Sequence, residues 1–211
     1  MARNAWHFLE LLDVGRQIQA QEISPVEVTR AQLDRIADLD GQLKSYAVVL
    51  ADLALADARQ AEAEINQDHS RGPLHDVPIA VKDLCWTKGV TTAGGMAIYK
   101  DFTPDRDSSV VKKLRDTGAI IIGKLQLTEG AYAEHHPTIA PPVNPWNKAH
   151  WSGVSSSGSG VATAAGLCYG SLGNDTGGSI RLPSAANNPA RAALAQTTRR
   201  CRLPGPPRSR D

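Results

Sequence analysis

Val77-Pro78-Ile79-Ala80-Val81 and Ala119-Ile120-Ile121-Ile122-Gly123 are the stretches whose reading sets the fold. Both are brief, apolar and rich in β-branched residues, with Gly, Pro and Asp around them. The spacing predicts a helix between them, from Ser108 to Thr117. Runs apolar at every position, rather than at alternate ones, are strands buried on both faces of a sheet. The class is therefore α/β.

Towards the N-terminus the pattern turns helical. Phe8, Leu11, Leu12, Val14 and Ile18 recur at helical spacing. Ser24-Pro25-Val26-Glu27 is a capping box with proline at the first helical position, which starts a second helix at Pro25. An extended piece around Tyr46 to Leu50 leads to an alanine-rich helix from about Asp52 to Ile65. Only solvated charges on these helices offer any chemistry, so residues 1–66 read as scaffold.

Composition narrows the class further. With 211 residues, 41% of them hydrophobic and 21% charged, the chain can bury a sizeable core without staples. No apolar run approaches the roughly 20 residues of a bilayer span, and no signal peptide is evident at Met1–His7, so neither membrane insertion nor secretion is expected. Three sparse cysteines, Cys85, Cys168 and Cys201, lack metal-ligand spacing and suit a reducing, cytoplasmic setting.

The net charge of +1 conceals an asymmetry: residues 1–188 carry −4, and six arginines follow Asn188. Residues 189–211 also hold four prolines and no lysine, glutamate or aromatic residue. Such a segment cannot offset its ordering entropy and is expected to be disordered, a divergent tail or a frameshift product. Without aromatic residues between the arginines it offers no stacking platform, so nucleic acid is not the expected partner.

Two Gly/Ser-rich segments remain, Ser152-Gly153-Val154-Ser155-Ser156-Ser157-Gly158-Ser159-Gly160 and Gly173-Asn174-Asp175-Thr176-Gly177-Gly178-Ser179. They flank a predicted helix, Val161 to Leu167, and an extended stretch, Cys168 to Leu172, which favours structured turns over a linker. Gly177-Gly178-Ser179 can supply a nucleophile together with backbone N–H donors from Thr176 to Ser179, an oxyanion hole. The alternative is a tight turn with Ser179 as a helix N-cap.

No histidine stands out as the base: His135 and His136 sit in a Pro-rich loop over 133–150, and the others are scattered. Lys82, at the end of the run Val77–Val81, is the other candidate, because burial disfavours its charged form. Equally open is a Lys82 beyond the strand, paired with Asp83 or another carboxylate. Gly123-Lys124 follows a strand, but Leu125 stands where a phosphate-binding loop requires Ser or Thr. Zinc-ligand pairs are absent. Neither metal nor cofactor is expected.

Val77–Asp83, Gly153–Ser159 and Gly173–Ala185, in this order and spacing, resemble the amidase signature family. The resemblance extends loosely over roughly residues 5–188 and implies a mixed sheet flanked by helices, here incomplete, with a helical region 1–66 and a catalytic α/β part 76–188. It implies Ser179 as the acylated nucleophile, Ser155 as a bridging serine on a cis peptide bond, and Lys82 as the base. Ser156 is implied to bond Lys82 or the backbone, with Asp175 and Arg181 as supports of the nucleophile turn. Val154 stands where the family usually has glycine.

The implied reaction is hydrolysis of a small-molecule carboxamide to acid and amine or ammonia. The resemblance ends near Asn188, and family members are more than twice as long, which implies a truncated copy. An inactive remnant and the amidase component of a glutamyl-tRNA(Gln) amidotransferase are the alternatives, and a homo-oligomer is compatible with each.

Overall fold

The two apolar runs lie side by side: β2 (Pro78–Lys82) pairs in parallel with β3 (Ile120–Leu125), and every residue of both is buried. The computed structural model describes residues 6, 7, 9–187 and 194–195. Phe8, Cys201 and all of 189–211 except Leu194–Ala195 lie outside the described residues, and with them the expectation of a disordered tail. Among the described residues five strands form one sheet in the order β1-β3-β2-β4-β5. β1 (Tyr46–Val49) runs antiparallel to β3, whereas β4 (Gly170–Leu172) and β5 (Leu194–Ala195) extend the parallel part.

Helices cover both faces, as an α/β sheet demands. α2 (Pro25–Leu43), α3 (Ala51–Ile65) and α5 (Ser157–Ala164) pack on Ala80, Ile120 and Ile122 of one face. α1 (Leu11–Gln19) places Val14 and Ile18 against Val77 and Ile79, and α4 (Ser109–Asp116) sets Val111 on Val81 and Ile121. α2 begins at the predicted Pro25, and its N-cap Ser24 side chain accepts a hydrogen bond from the Glu27 N–H at 3.2 Å. On α3 the buried Ala54, Ala58 and Ala61 keep one face small, so the helix can lie close to the sheet. Among the described residues no helix is long and apolar enough to cross a membrane.

The pairing of β2 with β3 contains an irregularity that matters for the site. Ile79 faces Ile121, but Ala80 faces Gly123, so Ile122 is an extra residue, a β-bulge. Beyond it, Lys124 pairs with Val81 and Leu125 with Lys82.

The helix expected at Val161–Leu167 starts four residues earlier, at Ser157, and takes the Gly/Ser run into its first turns. Tertiary contact overrides the poor helix propensity of glycine here. A Cβ on Gly158 would lie 2.4 Å from the Ser45 carbonyl oxygen and 2.6 Å from the Gln126 backbone, so only glycine allows this approach. Gly158→Ala is expected to destabilise the fold by about 3 kcal/mol, because rigid backbone must move. Urea unfolding reads this directly, and a midpoint equal to wild type would contradict it.

Candidate active site

Lys82 closes β2 and is fully buried. Its Nζ donates to Ser155 Oγ at 2.6 Å, Ser156 Oγ at 2.9 Å and Asn174 Oδ1 at 2.7 Å. All three are neutral oxygens. Lys82 is part of the strand rather than beyond it, and the carboxylate of Asp83 goes elsewhere, to Lys124 Nζ at 2.9 Å.

The segment before α5 delivers both serines. Ser155 and Ser156 are buried, and the Val154–Ser155 peptide bond is cis. Thr128 donates its N–H to the Ser155 carbonyl at 3.2 Å, and the Ser156 N–H donates to the Ser179 carbonyl at 3.2 Å. The second bond ties the segment before α5 to the turn that follows β4. Asn174, on that same turn, is invisible in the sequence: a single asparagine carries no signal until Lys82 is placed beside it.

Ser179 is half-buried between buried Gly178 and Ile180, while Thr176 and Gly177 are exposed. The turn is shaped by Asp175, whose carboxylate accepts from the N–H groups of Gly178 at 2.8 Å, Ile180 at 3.1 Å and Arg181 at 3.2 Å. The Arg181 guanidinium adds Nε at 3.1 Å and Nη2 at 2.9 Å. That guanidinium, followed by the backbone N–H groups, holds the Asp175 carboxyl well below the usual carboxylate range. Gly178 takes a φ of 115°, which glycine tolerates without strain, and its N–H is already engaged by Asp175. Of the four expected oxyanion donors, Gly178 therefore serves the turn in this structure. Ser179 lies two residues before α6 (Arg181–Asn187).

The Pro-rich loop over 133–150 packs on both flanks of the site. His135 Nε2 lies 3.2 Å from Ser157 Oγ, and burial pushes its pKa down. Asn144 Nδ2 donates to the Ala186 carbonyl at 2.9 Å, and Trp146 Nε1 to that of Asn187 at 2.6 Å, which seats the loop on α6. Among the described residues no three His, Cys, Asp or Glu side chains cluster as metal ligands would.

Over 176 residues the chain is 56% identical to "Putative amidase AmiD" of Mycobacterium tuberculosis, covering 83% of the chain and 37% of that protein. It is 42% identical over 174 residues to one component of the glutamyl-tRNA(Gln) amidotransferase of Prochlorococcus marinus, covering 82% of the chain and 36% of that protein. The fold superposes on the peptide amidase PAM, solved with the competitive inhibitor chymostatin, with a TM-score of 0.81 and 33% identity, over 85% of the chain and 39% of that chain. The chain thus spans little more than a third of the length of these relatives. With the family model for Amidase matching residues 27–189, well over half of the sequence, the chain belongs to the amidase family.

Proposed function

We propose that this chain carries the reacting groups of a carboxamide hydrolase, with Ser179 as nucleophile, Ser155 as proton bridge and Lys82 as base. The observation that carries the reading is the buried Lys82 amine 2.6 Å from the hydroxyl of Ser155, in the segment bonded to the backbone of Ser179. A neutral amine has two hydrogens and one lone pair. Once the amine is neutral, with Asn174 and Ser156 accepting its hydrogens, the contact to Ser155 reverses and the Ser155 O–H donates to the lone pair.

In the reaction, Ser179 Oγ attacks the amide carbonyl as its proton passes to Ser155 and the Ser155 proton passes to Lys82. The oxyanion is stabilised by N–H donors of Thr176, Gly177 and Ser179 in this turn, each worth about 3 kcal/mol in the transition state. The C–N bond breaks as the proton returns through Ser155 to the departing nitrogen, and the amine or ammonia leaves. Water, deprotonated along the same route, then releases the acid and restores Ser179. Asp175 and Arg181 hold the turn, and Ser156 orients the amine. The higher identity to AmiD than to the amidotransferase component favours release of the amine or ammonia over its transfer to a partner-bound acceptor. Cys85 and Cys168 are buried thiols, which fits a reducing, cytoplasmic setting.

The test is covalent. Incubation with an activated fluorophosphonate and peptide mapping should find the adduct on Ser179 and no adduct in Ser179→Ala. Folded protein, verified by circular dichroism, that forms no adduct at Ser179 is an inactive remnant and overturns the proposal.

A further inference from the structure

Two fully buried lysines stand at the ends of adjacent strands, Lys82 as the last residue of β2 and Lys124 as the last but one of β3. Successive side chains of a strand point to opposite faces. Had the pairing of Ile79 with Ile121 continued without the bulge, Lys124 would stand directly beside Lys82 on one face. The extra Ile122 reverses this parity: Lys124 pairs with Val81, and Lys82 with Leu125. Lys124 therefore shares a face with Asp83, one residue beyond Lys82, and the contacts agree. Lys124 Nζ donates to Asp83 Oδ1 at 2.9 Å and to Thr92 Oγ1 at 2.7 Å, while Lys82 meets Ser155, Ser156 and Asn174.

The pair also grips a turn. Asp83 Oδ2 accepts from the N–H groups of Ala93 at 3.0 Å and Gly94 at 3.1 Å. The Gly94 carbonyl accepts from the Gly130 N–H at 3.0 Å. Gly95 lies so close to Leu127 and Thr128 that a Cβ there would be 2.7 and 2.9 Å from their carbonyl oxygens. Thr128 in turn donates to the Ser155 carbonyl at 3.2 Å. An unbroken chain of contacts runs from Asp83 to the backbone of the bridging serine.

We propose that Asp83 and Lys124 are positioning residues for the Lys82–Ser155 relay: their ion pair anchors the 92–95 turn that backs Ser155, and the bulge keeps it on the sheet face opposite the Lys82 amine. This inference rests on the function proposed above. It assigns work to two residues that touch neither Ser155 nor Ser179 through their side chains.

The charged and titratable groups near Lys82 include Asp83, next to it at the end of its own strand, Lys124 from β3, and Asp175 from the turn after β4, held by Arg181. Tyr46 and Cys168 pack in the cluster with Ala80 and Leu125, and burial keeps both neutral, the Cys168 thiol being pushed up to about 12. His135 stands behind Ser157.

The experiment follows the Lys82 titration by NMR in protein carrying 13Cε-lysine, beside the rate of Ser179 labelling. Asp83→Asn removes a negative neighbour and should lower the Lys82 midpoint by about one pH unit; Lys124→Met removes a positive one and should raise it by a similar amount. Asp83→Asn/Lys124→Met should return the midpoint to near wild type. Both single variants should label Ser179 about tenfold to a hundredfold more slowly, as a displaced bridge requires. If Lys124→Met does not fold, Asp83→Asn and the double variant carry the comparison. Unchanged midpoints in folded variants, with labelling at the wild-type rate, overturn the inference. Absence of an adduct in wild type overturns the proposed function instead, and the midpoints still report on the charge arrangement.

Discussion

Lys82→Met should label Ser179 about a thousandfold more slowly than wild type, the loss expected when a general base is removed from a serine nucleophile. Methionine keeps the length and apolar bulk of the stem, so the change is confined to the amine. Lys82→Arg should not rescue the rate, because a guanidinium remains protonated and cannot accept a proton. The substitution also removes the Nζ that bridges the buried Ser155 and Ser156 hydroxyls and Asn174 Oδ1. Leaving such groups unsatisfied costs about 1–3 kcal/mol each. Urea unfolding measured beside the labelling rate separates this cost from the chemistry, and a folded Lys82→Met protein labelled as fast as wild type would remove the base from the mechanism.

Stability should fall as pH rises from about 4 to 8, and Asp76 should be the principal cause. Asp76 precedes the first buried run, is itself inaccessible to solvent, and has neither carboxylate oxygen in a hydrogen bond. His75 Nε2 lies 3.2 Å from Glu64 Oε2 and 3.5 Å from Asp76 Oδ1, while its Nδ1 accepts from the Arg71 N–H at 3.1 Å. Burial, reinforced by the neighbouring Glu64 carboxylate, pushes the Asp76 carboxyl up to about 7 from its ordinary 3.8. Between these two values the folded chain holds the proton and the unfolded chain does not, so deprotonation favours unfolding. The gap corresponds to at most about 4 kcal/mol, present in full below pH 4 and lost by the time pH passes 7.

His75 acts in the opposite sense, since burial lowers it from 6.5, and its contribution grows as pH rises through that value. The comparison of wild type with Asp76→Asn isolates the carboxyl: the variant should be the more stable at pH 8 and no better than wild type at pH 4.5. Parallel stability curves for the two proteins would show that the carboxyl does not titrate in this range.

Local signals define the scaffold well. The capping box places α2 at Pro25, and the spacing of Ala54, Ala58 and Ala61 matches α3 at Ala51–Ile65, because caps and helical periodicity are properties of neighbouring residues. The start of α5 escapes such signals, since glycine is a poor helix former and only the distant Ser45 and Gln126 make it suitable there. Motif order identifies Lys82 and Ser155 as companions. Asn174 and Lys124 stay hidden for different reasons. A lone amide acceptor has no local signature, and the partner of Lys124 depends on a one-residue change of strand parity that propensity does not encode. The hold of Asp175 on the Gly178 N–H is equally unreadable, because glycine gives no hint of where its amide points.

The amine of Lys82 meets partners 73 and 92 positions further along the chain. Contacts of such sequence separation close large loops and form late, after local helices have already appeared. Recovery of reactivity towards a phosphonate after dilution from urea should therefore lag behind the return of far-ultraviolet ellipticity, and serve as a clock for the docking of the last segments.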